Sequence, residues 1–216
     1  LRRVVPVSQD WGWDRGLPID RYYIENFLAH HREDICGRVL EIGDDLYTRK
    51  FGGDRVTSKD VLHVVKGNAE ATIVADLTCA DHIPSDTFDC ILLTQTLQYI
   101  YDTRAALKTL HRILKPGGVL LATFPGMSGL RHDEWAGWFW GFTAVSARRL
   151  FEEVFPGNKV MIQAYGNVLV AISFLHGLAV KELRQEELDY SDSRYEILIT
   201  VRAVKPDGSI TQALEN

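Results

Sequence analysis

Short apolar segments alternate with amphipathic segments along this chain, and that alternation limits the possible folds more than any other feature. Residues 88–93 are apolar apart from Asp89, which is typical of a strand buried on both faces of a parallel sheet. Residues 103–114 repeat apolar positions at helical spacing, and residues 119–124 form the next apolar run. The pattern predicts an α/β fold: a doubly wound, mostly parallel seven-stranded sheet with helices on both faces.

The remaining segments fit the same scheme. Further helices are predicted at residues 19–31 and 144–155, and further strands at residues 38–42, 54–60, 71–74, 159–165 and 195–204. The most apolar region, residues 160–180, is interrupted by polar residues, so we expect it to belong to the core and not to cross a membrane.

Length and composition restrict the function classes. The 216 residues predict a single domain, with an amino-terminal helical segment or lid (1–36), a cofactor-binding half (37–125) and an acceptor-side half (126–216). The net charge of -5 argues against nucleic-acid partners. The three cysteines, Cys36, Cys79 and Cys90, form no C-x-x-C pair, so we expect neither disulfides nor a metal site, and a cytoplasmic location.

The stretch VLEIGDDLYTRKFGG, residues 39–53, has the form of a strand that ends in a ligand-binding turn. Gly43 follows the strand where the backbone must approach a ligand closely, because glycine has no side chain to obstruct it. Asp44 and Asp45 come next, where a dinucleotide-binding turn would carry its second glycine. Two carboxylates repel a pyrophosphate, so the turn favours a cationic or zwitterionic ligand.

Further acids follow at the predicted ends of the next strands. Asp60 ends the segment RVTSKD, about 17 residues after Gly43, at a spacing that suits an acceptor for ribose hydroxyls. If that strand instead continued through DVLHVV, its end would fall near Val65, whose side chain accepts no hydrogen bond. Asp76, at the end of the third strand, is placed to face an adenine edge. These acids predict an adenosine-containing ligand without phosphate.

The same residues, together with the segment FDCILLTQTLQYIYDTRAALKTLHRILKPGGVLLAT (88–123), resemble the class I S-adenosylmethionine-dependent methyltransferases. The segment GFTAVSARRLFEEVF (141–155) resembles the small-molecule branch of that family. The resemblance implies S-adenosylmethionine as cofactor and S-adenosylhomocysteine as product. It places Glu41, Gly43, Asp44 and Asp45 at the cofactor loop, Asp60 at the ribose, Asp76 and Leu77 at the adenine, and Thr94 and Gln95 beneath the methionine part.

The acceptor side is expected in RHDEWAGWFWGF, residues 131–142. A hydroxyl acceptor needs a base, and His132 is the first choice for it, although a solvated charged turn explains the segment equally well. The aromatic residues of two segments either close over the cofactor or pack against outer helices: Trp135, Trp138 and Trp140, and near the amino end Trp11, Trp13, Tyr22 and Tyr23. Arg21 is a candidate partner for the cofactor carboxylate.

The predicted function is methyl transfer to a small-molecule or saccharide acceptor, at a hydroxyl. The alternative is a catalytically inactive domain of the same fold that serves a larger protein, which the missing second glycine and the absence of an initial methionine favour. A nicotinamide-dependent oxidoreductase ranks third, because its pyrophosphate would meet Asp44 and Asp45.

Overall fold

One seven-stranded sheet organises the chain in the computed structural model, which describes residues 3–129 and 137–207. The strands are β1 (Gly37–Ile42), β2 (Val56–His63), β3 (Ile73–Val74), β4 (Phe88–Thr94), β5 (Leu114–Pro125), β6 (Val160–Tyr165) and β7 (Leu198–Val204). They lie in the order β3-β2-β1-β4-β5-β7-β6, and β7 runs antiparallel to both of its neighbours. The predicted doubly wound, mostly parallel sheet is confirmed.

Helices cover both faces of the sheet. They are α1 (Ile19–His30), α2 (Thr103–Ile113), α3 (Ala144–Glu152), α4 (Val168–Leu175) and α5 (Gln185–Asp189). The apolar residues of α2 and α3 pack on one face, and those of α1, α4 and α5 pack on the other. Along β4, Ile91 and Leu93 point to the first face whereas Cys90 and Leu92 point to the second. This double burial explains why β4 is a continuous apolar run.

Local hydrogen bonds fix where the central helices begin. The Asp102 side chain accepts a hydrogen bond from the Ala105 N–H at 2.9 Å and so caps α2. Thr143 and Ser146 cap α3 reciprocally, each side chain accepting from the backbone N–H of the other residue. Both helices begin at the predicted residues, and both end slightly earlier than predicted.

One prediction about the elements is wrong. β2 does not end at Asp60 but continues to His63. Only its last two residues, Leu62 and His63, pair with β3, so the outer edge of its first part is unpaired and tolerates polar side chains. The apolar region expected to belong to the core does so: it contains the helix α4, whose Val170, Ala171 and Phe174 are buried. Within residues 3–129 and 137–207, no helix is both long enough and apolar enough to cross a bilayer.

An amino-terminal strap, residues 7–18, is held against the end of α4. The N–H groups of Val7 and Ser8 both donate to the His176 carbonyl, at 2.7 and 3.2 Å. The backbone of the strap lies very close to the backbone of the segment after α4. A Cβ on Gly12, whose φ is +92°, would lie only 2.8 Å from the Leu178 carbonyl oxygen. Glycine is therefore required at this crossing, and the strap is fixed across the mouth of the sheet.

The core on the α3 face should be sensitive to truncation. Phe151 is fully buried beside the rings of Phe124 and Phe155. We expect Phe151→Ala to lower the free energy of unfolding by about 3–5 kcal/mol, because it removes a large apolar side chain and leaves a cavity. Val145→Ala, on the exposed side of the same helix, should change it by less than about 0.5 kcal/mol. Urea denaturation checks both, and a similar loss for the two variants would contradict this packing.

Candidate active site

The described residues enclose one large cavity, of about 980 Å³, at the carboxyl ends of β1, β2 and β4. This main cavity lies where ligands bind in open α/β sheets, outside the strand ends at the point where the strand order reverses. Loops after these three strands form its floor, and the amino-terminal strap contributes Trp11 and Trp13 to its wall.

The turn after β1 opens the main cavity. Gly43 has φ of +95°, which favours glycine, and its N–H donates to the Leu62 carbonyl at 3.0 Å. A Cβ at Gly43 would meet nothing within 4 Å, so the space beside the backbone is free for a ligand. Asp44 also lines the cavity, and its Oδ1 accepts from the Leu46 N–H at 2.9 Å. One glycine is therefore sufficient for the turn.

Glu41 holds this turn from below and does not belong to the cavity lining. Its carboxylate is buried and accepts hydrogen bonds from the Tyr47 N–H at 3.1 Å and the Thr48 N–H at 2.8 Å. Burial raises the pKa of Glu41 to about 7, although the hydrogen bonds from Thr48 and Tyr47 oppose the increase. The acid predicted at the cofactor loop thus acts as the cap of the turn.

Asp45, at the position of the missing second glycine, is turned away from the main cavity. Its carboxylate pairs with Lys59 and, at 2.9 Å, with Arg49. Because these cations neutralise Asp45, only Asp44 presents a carboxylate of this pair to a ligand. The prediction that both acids meet the cofactor is wrong for Asp45.

The prediction that Asp60 holds the ribose is wrong, because it required β2 to end at Asp60. Asp60 lies inside β2, where it accepts from Arg38 Nε at 2.8 Å and Thr72 Oγ1 at 2.8 Å. It is not part of the lining of the main cavity, whereas His63 and Val64 at the true strand end are. The alternative end, near Val65, was closer to the structure.

Asp76 and Leu77, predicted to lie at the adenine, line the main cavity. Asp76 Oδ1 accepts from the N–H and the hydroxyl of Thr78, each at 2.8 Å. These bonds orient the carboxylate, and no described residue bonds its Oδ2, which can accept from a ligand. Leu77 is buried and supplies an apolar surface beside it.

Thr94 and Gln95, predicted to lie beneath the methionine part, also line the main cavity. Gln95 has φ of +47°, an unfavourable conformation for a residue with a side chain. Its N–H donates to the Thr123 carbonyl at 2.8 Å, and its carbonyl accepts from Gln98 Nε2 at 3.0 Å. Strained residues held by their surroundings concentrate at functional sites. Gln98, which holds the strained residue, was missed because a glutamine next to an apolar helical turn carries no distinctive signal.

Tyr22 and Tyr23 are not lid residues, and that prediction is wrong. Tyr23 is buried, stacks on Tyr165 with ring centroids 5.3 Å apart, and donates to the Leu188 carbonyl at 2.8 Å. The hydroxyl of Tyr22 donates to Asp189 on α5. Both rings therefore fasten α1 to the second face of the sheet.

The tryptophans after β5 have separate positions. Trp138 lines a smaller side chamber next to the main cavity. Trp140 stacks on Tyr101 with ring centroids 5.7 Å apart, and its Nε1 donates to the Ile100 carbonyl at 3.0 Å, so it supports the cavity wall from outside. His132 and Trp135 lie outside the described residues, and their predicted roles stay predictions.

Arg21 lines both the main cavity and the side chamber. Its Nη1 donates to the Tyr47 hydroxyl at 3.2 Å, and its guanidinium lies 5.6 Å from the Trp13 ring centroid. Asp20 Oδ2 is 3.8 Å from Arg21 Nε. Among residues 3–129 and 137–207, no cluster of three or more His, Cys, Asp or Glu side chains could hold a metal ion.

Comparisons with known proteins agree with this geometry. The family model described as a methyltransferase domain matches residues 43–122. The ubiquinone/menaquinone biosynthesis C-methyltransferase UbiE of Marinomonas sp. (strain MWYL1) is 37% identical over 90 residues, which are 39% of this chain. The aligned part is 32% of that protein, so the chain spans about a third of this relative's length.

Solved structures extend the likeness over most of the chain. A SAM dependent methyltransferase from Archaeoglobus fulgidus has a TM-score of 0.56 at 11% identity, covering 86% of this chain and 94% of that one. The [4+2]-cyclase SpnF has the same TM-score at 16% identity, covering 88% and 81%. The chain therefore has the fold of the class I methyltransferases, and its residues 43–122 match a methyltransferase domain. At these identities the structural likeness concerns the fold, which hosts more than one chemistry.

S-adenosylmethionine is the cofactor of this family, and the residues of the methyltransferase domain fit it. The turn at Gly43 leaves open space where a side chain would stand, and Asp76 has a free carboxylate oxygen. The edge of the cavity at His63 departs from the expected pattern, because it carries an imidazole where a ribose-binding acid was predicted.

Two aspartates of the methyltransferase domain should respond differently to truncation. We expect Asp76→Ala to raise the Kd for S-adenosylhomocysteine about tenfold, the value of one hydrogen bond to a charged group. Asp60→Ala should leave that Kd within about twofold, because Asp60 bonds to Arg38 and Thr72. Calorimetric titration of the two folded variants measures both values. If both variants raised the Kd equally, Asp60 would contact the ligand, as was first predicted.

Glu41 should make stability depend on pH. Its folded pKa of about 7 exceeds the ordinary 4.5, so its favourable contribution is present below pH 4.5 and is lost as pH rises through about 7. Glu41→Gln lacks this titration. The free energy of unfolding of the variant minus that of the wild type should rise by about 3 kcal/mol from pH 4.5 to 8. Urea denaturation at several pH values measures it.

The exposed Glu70 supplies the matched control for that experiment. Glu70→Gln removes one carboxylate without touching the turn, so its difference from the wild type should stay nearly constant over the same pH range. If the free-energy difference between Glu41→Gln and the wild type were also independent of pH, the Glu41 carboxylate would not titrate in the way its burial requires.

Proposed function

We propose that this chain is an S-adenosylmethionine-dependent methyltransferase that acts on a small-molecule acceptor. The observation that carries the proposal is the main cavity of about 980 Å³, which brings Gly43, Asp76 and Gln95 to one edge of the sheet. Pockets of about 300–1,000 Å³ hold drug-sized ligands, so this cavity has room for a cofactor and for part of an acceptor.

In this proposal each residue has a defined task. The backbone at Gly43 approaches the cofactor, and Asp76 accepts a hydrogen bond from its adenine amino group. Leu77 packs against the adenine, and Arg21 pairs with the methionine carboxylate. Thr94 and Gln95 support the methionine part from below. The bound cofactor supplies a methyl group that its sulfonium charge already activates.

The protein then has to align the acceptor and exclude water. Alignment of two reactants in a closed site can supply about 7–11 kcal/mol of the barrier reduction. The cavity wall includes Trp11 and Trp13 on the strap, and also Phe139 after β5. This position supports the lid role predicted for the tryptophans near the amino end.

The acceptor is proposed to react at a hydroxyl or at a carbon next to one. The UbiE relative is named a C-methyltransferase of ubiquinone/menaquinone biosynthesis, which supports a small molecule and points to carbon. Both reactions require that the acceptor lose a proton, and His132 stays the predicted base. The saccharide acceptor also stays a prediction.

We further propose the division of labour predicted from the sequence. Residues 37–125 supply the turn at Gly43, Asp76 and Gln95 for the cofactor, whereas residues 1–36 and 126–216 supply the tryptophans and Phe139 for the acceptor. The three cysteines form no disulfide in the structure, and a cytoplasmic location stays a prediction.

Ligand selectivity tests the proposal. We expect S-adenosylhomocysteine to bind with one molecule per chain in calorimetry, and ADP and NAD to bind at least 100-fold more weakly, because Asp44 and Asp76 repel a diphosphate. Asp102→Asn, which removes one further charge at the rim while keeping the cap of α2, serves as a control and should not admit the diphosphates.

Two outcomes would contradict the proposal. Tight binding of a diphosphate would favour a nicotinamide-dependent or nucleotide-dependent activity. A folded chain that binds no S-adenosylhomocysteine at millimolar concentration would favour the inactive domain that was the alternative.

A further inference from the structure

Helix α4 is apolar on its outer side as well as on its inner side. The inner side packs against the second face of the sheet through three buried residues: Val170, Ala171 and Phe174. The outer side consists of four side chains that are each 38–48% exposed: Val168, Leu169, Ile172 and Leu175. A helix that is apolar all round is normally buried on all sides. No described segment of the chain covers the outer side of α4, so the helix has the composition of a buried element without the cover.

The exposed apolar surface continues beyond both ends of α4. At the start of the helix, Asn167 Nδ2 donates to the Tyr190 carbonyl at 2.8 Å, which brings the exposed Tyr190 next to the first turn. At its end, the His176 carbonyl accepts from the Val7 N–H at 2.7 Å, which brings the partly exposed Val7 of the strap next to the last turn. We call the four outer residues of α4, together with Val7 and Tyr190, the apolar band.

The area of the apolar band is large enough for an interface. Its residues expose on the order of 500 Å² to solvent, whereas contiguous apolar patches on monomers rarely exceed a few hundred Å². Val4 and Val5, which shortly precede Val7 and are also exposed, add to this surface. Two such bands facing each other would bury about 1,000 Å² in total, the lower limit for a specific interface between proteins.

A second copy of the chain suits the apolar band better than a bilayer does. The band carries no charge, so a twofold axis can place it against itself without opposing like charges. Antiparallel crossing of two α4 helices also brings Arg3, ahead of the strap, toward the acidic helix α5, which lies at the opposite end of the band. A helix that lies on a bilayer has a cationic polar face, whereas the inner face of α4 is apolar and buried.

We propose that the chain forms a homodimer through the apolar band, in which the two α4 helices pack antiparallel about a twofold axis. Ile172 lies near the middle of the band, so it packs close to the Ile172 side chain of the second copy. Because Val7 belongs to both the band and the strap, the dimer also helps to hold the strap against α4. No residue of the band lines the main cavity, so this inference does not depend on the proposed function.

Sedimentation velocity over a range of protein concentrations tests the inference. We expect the wild-type chain to dimerise with a Kd in the micromolar range or below. Ile172→Glu should raise this Kd at least about tenfold, because it places two carboxylates opposite each other across the axis, and Ile172→Lys should do the same with two ammonium groups. An equimolar mixture of the two variants should recover the dimer, because opposite charges then meet at the axis.

Val145→Glu is the matched control. It places the same charge on another exposed apolar residue, in helix α3 on the opposite face of the sheet, and should leave the dimerisation Kd unchanged. Far-UV circular dichroism and the thermal midpoint show whether each variant is folded. Recovery of the dimer in the mixture of the Ile172 variants provides a second check, since a chain that had not folded could not restore the interface.

Three outcomes would overturn the inference. The wild-type chain could remain monomeric at its highest soluble concentration, or the Ile172 variants could dimerise as tightly as the wild type. The mixture of the two Ile172 variants could also fail to recover the dimer, in which case Ile172 would not lie at a twofold axis. If a monomeric wild-type chain floated with phosphatidylcholine vesicles and Ile172→Glu did not, a bilayer would be the partner of the band and the dimer would be wrong.

Discussion

The buried carboxylate of Glu41 is the interaction on which the site depends. It projects from β1, under the turn, and accepts from two consecutive N–H groups, those of Tyr47 and Thr48. These bonds fix the path of the chain just beyond Gly43, so the backbone beside the cavity stays open without a second glycine. The arrangement has a cost, because burial raises the pKa of Glu41 to about 7 and its ionised form is poorly solvated. Burial and the hydrogen bonds of the turn therefore shift the pKa of Glu41 in opposite directions, and burial has the larger effect.

The same turn shows how the chain accommodates two adjacent acids where a small residue and a glycine were expected. Asp44 contributes to the cavity and orders the turn through Leu46, whereas Asp45 is neutralised outside it by Lys59 and Arg49. A cavity with one carboxylate at the turn and another at Asp76 suits a ligand with positive charge. The two acids therefore leave the space beside Gly43 open to a ligand.

Much of the fold could be predicted because its strongest signals are local. β4 is apolar on both faces, and α2 has an aspartate cap followed by regular apolar spacing. The predicted strand at residues 54–60 ended too early because the polar residues 57–60 resemble a strand end, although they lie on an unpaired edge of β2. α4 was missed because it is almost uniformly apolar and shows no helical period. Gln98 and the positive φ of Gln95 depend on contacts between distant segments, which no local pattern reveals.

The side chamber takes its walls from the whole length of the chain, since Trp11, Gln98, Trp138 and Ile197 all border it. Ile197 directly precedes β7, the last strand in sequence, which inserts between β5 and β6. During synthesis on the ribosome, the turn at Gly43 emerges long before this final insertion can occur. A nascent chain can therefore complete the side chamber only after the last strand has been synthesised, long after the turn at Gly43.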